Sequence, residues 1–232
     1  MDVQEATTCR LPDLKERHLP ENCRETINTI LKETYGYEQF RNLEIYDDLS
    51  KGKEKLCISQ GQLIENVILE VEKAWKGETQ VDNILLTAPT GSGKSLLFQL
   101  PAIYLGKEYN LLTIVVSPLK ALIVDQVESL QELGYTRVAY ASSDLSPEQK
   151  MEVYRQVREG EIDLFYLSPE LLLSYDIKHF VGERRIGLVV VDEAHTVTTW
   201  GKEFRVDYWF LGRYLTCLLY TSPSPRDGAT SR

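Results

Sequence analysis

The sequence predicts an α/β fold: a parallel sheet flanked by helices, with an N-terminal helical extension. Three observations predict it. From residue 84 onward, apolar runs of strand length alternate with segments of helical period. Those runs are apolar throughout, as strands buried on both faces are. The third concerns the stretches APTGSGKS, SPL, SPE and DEAH. Each falls where a run ends, at the carboxyl ends of strands where such sheets bind ligands.

Residues 1–80 form the extension. The first thirty or so are polar and mixed in charge, and Pro20, Glu21 and Asn22 start a helix running through Ile27, Ile30 and Leu31. Tyr35–Arg41 reads YGYEQFR. It is either a stacking platform for a base, with the arginine as a second flat face, or aromatic packing at a helix end. Asn42–Lys55 is acidic and then basic, and reads as a solvated insertion or a short helix. After Ser59-Gln60-Gly61-Gln62, apolar residues at 63, 64, 67, 68, 71 and 74–75 make an amphipathic helix. Lys76-Gly77-Glu78 ends it.

Residues 81–216 form the main lobe. Asp82-Asn83 turns into a first strand at Ile84–Leu86, and a helix follows from Ser95 to about Tyr104. Leu111–Val116 is the next strand, ending in Ser117-Pro118-Leu119. Lys120–Leu133 is helical by period, with Gly134 as its stop. Thr136–Tyr140 is a strand. Ser146-Pro147-Glu148 opens a helix with proline at its first position, running to Glu159-Gly160. Ile162–Leu167 is a strand ending in Ser168-Pro169-Glu170. Leu188–Val191 is the last, and it runs straight into Asp192-Glu193-Ala194-His195.

Strand, small-residue turn and helix are the context a phosphate-binding loop requires. Gly91 and Gly93 permit close backbone approach. Thr90, Gly91, Ser92 and Gly93 would cradle phosphate oxygens at the helix N-terminus. Lys94 would reach the β- and γ-phosphates, and the Ser95 hydroxyl would ligate Mg²⁺. Ala88 stands where the strict pattern opens with glycine. Asp192, closing a buried strand downstream, fits the second Mg²⁺ ligand. Glu193 is placed to orient or deprotonate an attacking water. Together the two motifs read as an NTPase that uses Mg²⁺.

Past His195 the chain reads TVTTWGKEFRVDYWFLGRYL. Trp209, Phe210, Leu211 and Leu215 suit a packed helix. Trp200, Phe204 and Arg205 suit either packing or a loop that stacks on and grips single-stranded nucleic acid.

The net charge of −9 excludes a generic polyanion-coating protein. A motor that touches nucleic acid through local loops and backbone N–H groups is compatible with it. Cys9, Cys23, Cys57 and Cys217 show no metal-site spacing. His18 reads as a surface residue. No membrane span or leader is read, which points to a cytoplasmic or nucleoid-associated protein.

The chain resembles the first RecA-like lobe of RecQ-type, superfamily 2 DNA helicases over about Tyr35 to Leu215. YGYEQFR resembles that family's adenine-recognition motif and APTGSGKS its phosphate loop. VVSPLKALIVDQV and YLSPELLL resemble the next two motifs. DEAH followed by WGKEFR resembles the catalytic box and its aromatic-rich loop. The resemblance implies that Tyr37 and Arg41 sandwich adenine, with Gln62 (or Gln60) reading its edge. Lys94 would bind phosphate, Ser95 and Asp192 would hold Mg²⁺, and Glu193 would be the base. His195 would relay to the next motif. Ser117, Pro118, Trp200, Phe204 and Arg205 would contact DNA, single-stranded or duplex, with 3′-to-5′ movement. Two departures stand out. The family's glutamine closely follows FR, whereas here GQ comes after the charged insertion. TVTT, between DEAH and WG, is more β-branched than the family's loop.

Residues 217–232 begin CLLYTSPSPRD and resemble the translation of a transposase adapter used for sequencing libraries. On that reading they are not native, and the second RecA-like lobe with its arginine finger is missing. Such a chain would bind Mg-ATP weakly and hydrolyse it barely. A nucleic-acid-dependent translocase that does not unwind, and a binding-only module, remain as other readings. Lys94→Ala is expected to abolish binding of a fluorescent ATP analogue. Unchanged binding in that variant would remove the phosphate-loop assignment.

Overall fold

The structure, a computed structural model, describes residues 19–46, 55–78, 81, 83–86 and 91–193. Helix α1 (Glu25–Tyr35) opens the described chain. It starts later than Pro20, because the proline and the residues after it lie in an irregular approach. Gly36, at φ 68°, closes it in the left-handed conformation that stops helices.

Strands β1 (Asn42–Tyr46) and β2 (Lys55–Ser59) follow as an antiparallel pair, with Asn42 opposite Ser59 and Tyr46 opposite Lys55. This corrects the expected insertion or short helix at 42–46 and at Lys55; residues 47–54 lie outside the described residues. The apolar residues at 43, 56 and 58 find a core to face, with Ile58 buried and Leu43 and Leu56 packed beside it. A charge count does not register that alternation.

Ser59 caps helix α2 (Gln60–Trp75). Its hydroxyl accepts from the Gly61 N–H, and Gln62 reaches back to the Ser59 N–H in a capping box. Gly61 has no Cβ because one would sit 2.7 Å from the Phe40 ring.

Residues 83–86 join no strand ladder, contrary to the predicted first strand at Ile84–Leu86. Leu86 packs against the core while Leu85 is 65% exposed. Hydrophobicity there marked neither full burial nor a ladder partner among the described residues.

Helix α3 (Leu96–Tyr109) runs beyond the expected end at Tyr104, and Asn110 closes it in the left-handed region. Then β3 (Leu112–Val116), α4 (Lys120–Glu132), β4 (Val138–Ala141), α5 (Pro147–Arg158) and β5 (Leu164–Leu167) alternate. Short helices α6 (Pro169–Ser174) and α7 (Ile177–Val181) precede β6 (Ile186–Val191). The sheet is fully parallel, in the order β4-β5-β3-β6.

Side chains alternate between two cores. Val115, Leu164 and Tyr166 point into the one shared with α1, α2, α3 and α4. Leu112, Ile114, Val116, Phe165 and Leu167 point into the one under α5, α6 and α7. That is why β3 and β5 read as continuous apolar runs.

Beneath the amino ends of the strands lies a buried ionic cluster. Asp163 is fully buried and bonds Arg137 Nε at 2.6 Å, Arg184 Nη2 at 2.9 Å and the Tyr135 hydroxyl at 3.2 Å. Asp163→Ala would leave the Arg184 guanidinium, itself nearly buried, without its carboxylate. Removing one partner of such a pair costs about 3–5 kcal/mol. Urea denaturation should show that loss as a lower midpoint at unchanged slope.

Candidate active site

The glycine-rich loop lies at the start of α3. Gly91 and Gly93 have φ of 80° and 77°, backbone that side-chain-bearing residues rarely adopt. The turn closes through Leu96 N–H to Gly93 O at 3.2 Å and Leu97 N–H to Lys94 O at 3.0 Å. Ser95 sits at the N-cap, yet its hydroxyl makes no capping bond, and the first turn carries no acid. The positive end of the helix therefore has no fixed counter-charge in that turn. The Ser92 hydroxyl is buried with no hydrogen-bond partner among the described residues. An unspent hydroxyl, two permissive glycines and a lysine form a donor set that fits a triphosphate and its cation. Thr90 lies outside the described residues.

The aromatic segment meets this loop through Gln60. The Tyr37 ring stacks on Tyr35 with centroids 6.3 Å apart and planes 19° off parallel, and is about half exposed. Arg41 is exposed. Its backbone is clasped twice by Gln60: Arg41 N–H donates to Gln60 Oε1 at 3.2 Å, and Gln60 N–H donates to Arg41 O at 2.9 Å. The other end of the same amide, Nε2, donates to Ser92 O at 3.0 Å. A Cβ on residue 93 would sit 2.7 Å from that nitrogen, so the contact requires glycine there. Gln60 is 2% exposed. Gln62, the first expectation for the adenine reader, uses its amide differently. Its Oε1 accepts from the Ser59 N–H at 3.0 Å, and its Nε2 donates to Pro20 O at 3.1 Å.

At the far end of β6, Asp192 N–H donates to Val116 O at 2.9 Å, extending the ladder one residue past the strand. Asp192 Oδ1 then accepts from the Glu193 N–H at 2.9 Å. Glu193 has φ of 50°. That is an unfavourable conformation for a residue with a side chain, and such strain clusters at functional sites. His195, Trp200, Phe204 and Arg205 lie outside the described residues.

Among the residues expected to contact nucleic acid, Ser117 is 1% exposed, and its N–H is bonded to Leu167 O at 3.1 Å. Pro118 beside it is partly exposed. Lys120, at the start of α4, is exposed and pairs with Asp144 at 3.0 Å and with the Ser143 hydroxyl. It thereby joins the loops after β3 and β4 at one edge of the sheet.

One element was missed from sequence. Gln99 stands alone as a polar residue in the apolar run LLFQLPAIYL of α3. That isolation was the available signal.

Comparison with known proteins gives three findings. The sequence pattern of the DEAD/DEAH box helicase family matches residues 65–225. The ATP-dependent DNA helicase RecQ of Haemophilus influenzae is 30% identical over 187 residues, which cover 81% of this chain and 25% of that protein. The RecQ of Synechocystis is 34% identical over 191 residues, covering 82% of this chain and 33% of that protein. This chain thus spans a quarter to a third of the length of these relatives. Among solved structures, the DUF1998 helicase MrfA bound to DNA and AMPPNP matches with a TM-score of 0.46 at 22% identity, over 78% of this chain and 22% of that one.

The two glutamines can be told apart. Gln60→Ala should weaken binding of an ATP analogue about tenfold, the worth of one or two hydrogen bonds. Gln62→Ala should cost about 1 kcal/mol of stability through the lost cap and leave affinity within about twofold. Equilibrium titration and thermal unfolding of both variants check this.

Proposed function

Because this chain belongs to the DEAD/DEAH box helicase family and is RecQ-like in sequence, we propose that it is the ATP-binding lobe of a DNA helicase. In this reading it couples ATP hydrolysis to 3′-to-5′ translocation on single-stranded DNA. The observation that carries the proposal is the Gln60 clasp, which fixes the Tyr37–Arg41 segment against the phosphate loop. Base-stacking and phosphate-binding groups then face one nucleotide.

Adenine would lie against Tyr37, with the Arg41 guanidinium on its other face. The N–H groups of Gly91 to Ser95 and the Lys94 ammonium would take the phosphates. Ser95 and Asp192 would hold Mg²⁺, which supplies charge neutralisation on the β- and γ-phosphate oxygens. The backbone N–H of Glu193 fixes one oxygen of the Asp192 carboxylate. The Glu193 side chain would orient the attacking water and accept its proton. His195 would pass the state of this site to the segment holding Trp200, Phe204 and Arg205, which would stack on single-stranded DNA.

An arginine from a second lobe would stabilise charge in the transition state, and its absence lowers rates about 10³–10⁵-fold. We therefore expect this chain alone to bind Mg-ATP and to hydrolyse it very slowly. The functional test is strand separation of a 3′-tailed duplex by the polypeptide carrying both lobes. ATP-dependent separation supports a helicase. ATP turnover stimulated by single strands, with no separation, would replace it with a translocase. In the same polypeptide, Glu193→Gln should keep analogue binding within about threefold and lower turnover about 10²-fold or more.

A further inference from the structure

The amide of Gln99 joins the parts of the proposed ATP site to the helix behind the proposed DNA-contacting loop. It is 5% exposed, on the second turn of α3, where its own N–H donates to Ser95 O at 2.9 Å. Its Oε1 accepts from the Tyr35 hydroxyl at 2.9 Å. Its Nε2 donates to Gln126 Oε1 at 2.9 Å and to the Tyr166 hydroxyl at 3.1 Å. Tyr35 is the ring on which Tyr37 stacks. Gln126 lies on α4, the helix that begins directly after Ser117-Pro118-Leu119. Tyr166 lies on β5, and burial together with the Asp192 charge raises its pKa and keeps it protonated. A single side chain thus touches the base platform, the catalytic end of the sheet and α4, from the helix that starts at the phosphate loop.

An apolar side chain of equal size would fill this position at less desolvation cost. The amide is tolerated because all three bonds are made at once. Being planar, it cannot turn its oxygen toward a moved Tyr35 without turning its nitrogen away from Gln126 or Tyr166.

We propose that Gln99 is a positioning residue that links nucleotide occupancy of the Tyr37–phosphate-loop site to the setting of α4, and so to affinity for single-stranded DNA. This rests on the ATP- and DNA-binding reading above. Base stacking on Tyr37 loads Tyr35, Tyr35 moves the amide, and the amide moves Gln126. The coupling is reciprocal, so DNA shifts nucleotide affinity by the same factor.

The test uses this chain, a non-hydrolysable fluorescent ATP analogue with Mg²⁺, and a fluorescein-labelled oligothymidylate. DNA affinity is measured with and without saturating analogue. The unsubstituted chain should show a change of about fivefold or more. In Gln99→Met, each ligand should still bind, and the ratio should fall to about one. Gln99→Glu restores an acceptor for Tyr35 and should recover part of the ratio, which a purely structural amide would not show. Should Gln99→Met fail to fold, Tyr35→Phe and Tyr166→Phe each remove one hydroxyl, and each should lower the ratio. A ratio that persists in folded Gln99→Met, or in both tyrosine variants, overturns the proposal. If the unsubstituted chain binds both ligands without coupling, the proposal fails and the functional reading stands. If it binds neither, the functional reading fails and takes the proposal with it.

Discussion

Four strands among the described residues point the same way and place their carboxyl ends along one edge, and the candidate site is a consequence of that edge. Parallel pairing demands crossovers, and the crossover helices bury both faces of the sheet. Strand β3 shows the result most fully, with all five of its residues buried. Its neighbours β5 and β6 are held in register against it, so Ser117, Ser168 and Asp192 come out side by side. The Asp192 N–H continues the ladder onto Val116 O. The position of the carboxylate is therefore set by sheet hydrogen bonds and not by the loop that carries it.

The extension belongs to the same packing unit. Ile27 and Leu31 of α1 and Ile64 and Ile68 of α2 share one core with Leu100 and Ile103 of α3. Arg24 ties the three together: it bonds Glu65 on α2 at 2.6 Å, Glu72 about two turns further along the same face at 2.6 Å, and the Tyr104 hydroxyl on α3. The Arg24 bond holds the Glu72 carboxyl below the usual range. Burial and the nearby Glu65 charge push the Cys23 thiol up to about 12, so this cysteine behaves as a small apolar group. The Tyr37–Arg41 segment and the glycine-rich loop are thereby carried on helices anchored in the core.

The sequence made the sheet and most helices legible because their signals are local. Ser146-Pro147 started α5 with proline at its first position as read, and the apolar runs became β3, β5 and β6. Two readings failed for physical reasons. Ile84–Leu86 is apolar but has no ladder partner among the described residues, and pairing is a property of two segments. Asn42–Lys55 is charged enough to look solvated, yet 42–46 pair with 55–59 in an antiparallel ladder. The site was legible as motifs and not as contacts. Nothing in the spacing distinguished Gln60, which bridges to Ser92, from Gln62, which serves the helix cap. Nothing in it paired Gln99 with Tyr35 and Tyr166.

The hairpin has one further consequence. Arg41 and Gln60 lie 19 positions apart in the chain, yet they form the rung directly beyond Asn42 and Ser59. The stem closes the intervening segment upon itself. Leu43, Leu56 and Ile58 of the stem pack into the core, so only length added between 46 and 55 carries no more than the weak logarithmic entropy of a larger loop. A separation of 19 positions along the chain is thus an adjacent rung in the folded molecule.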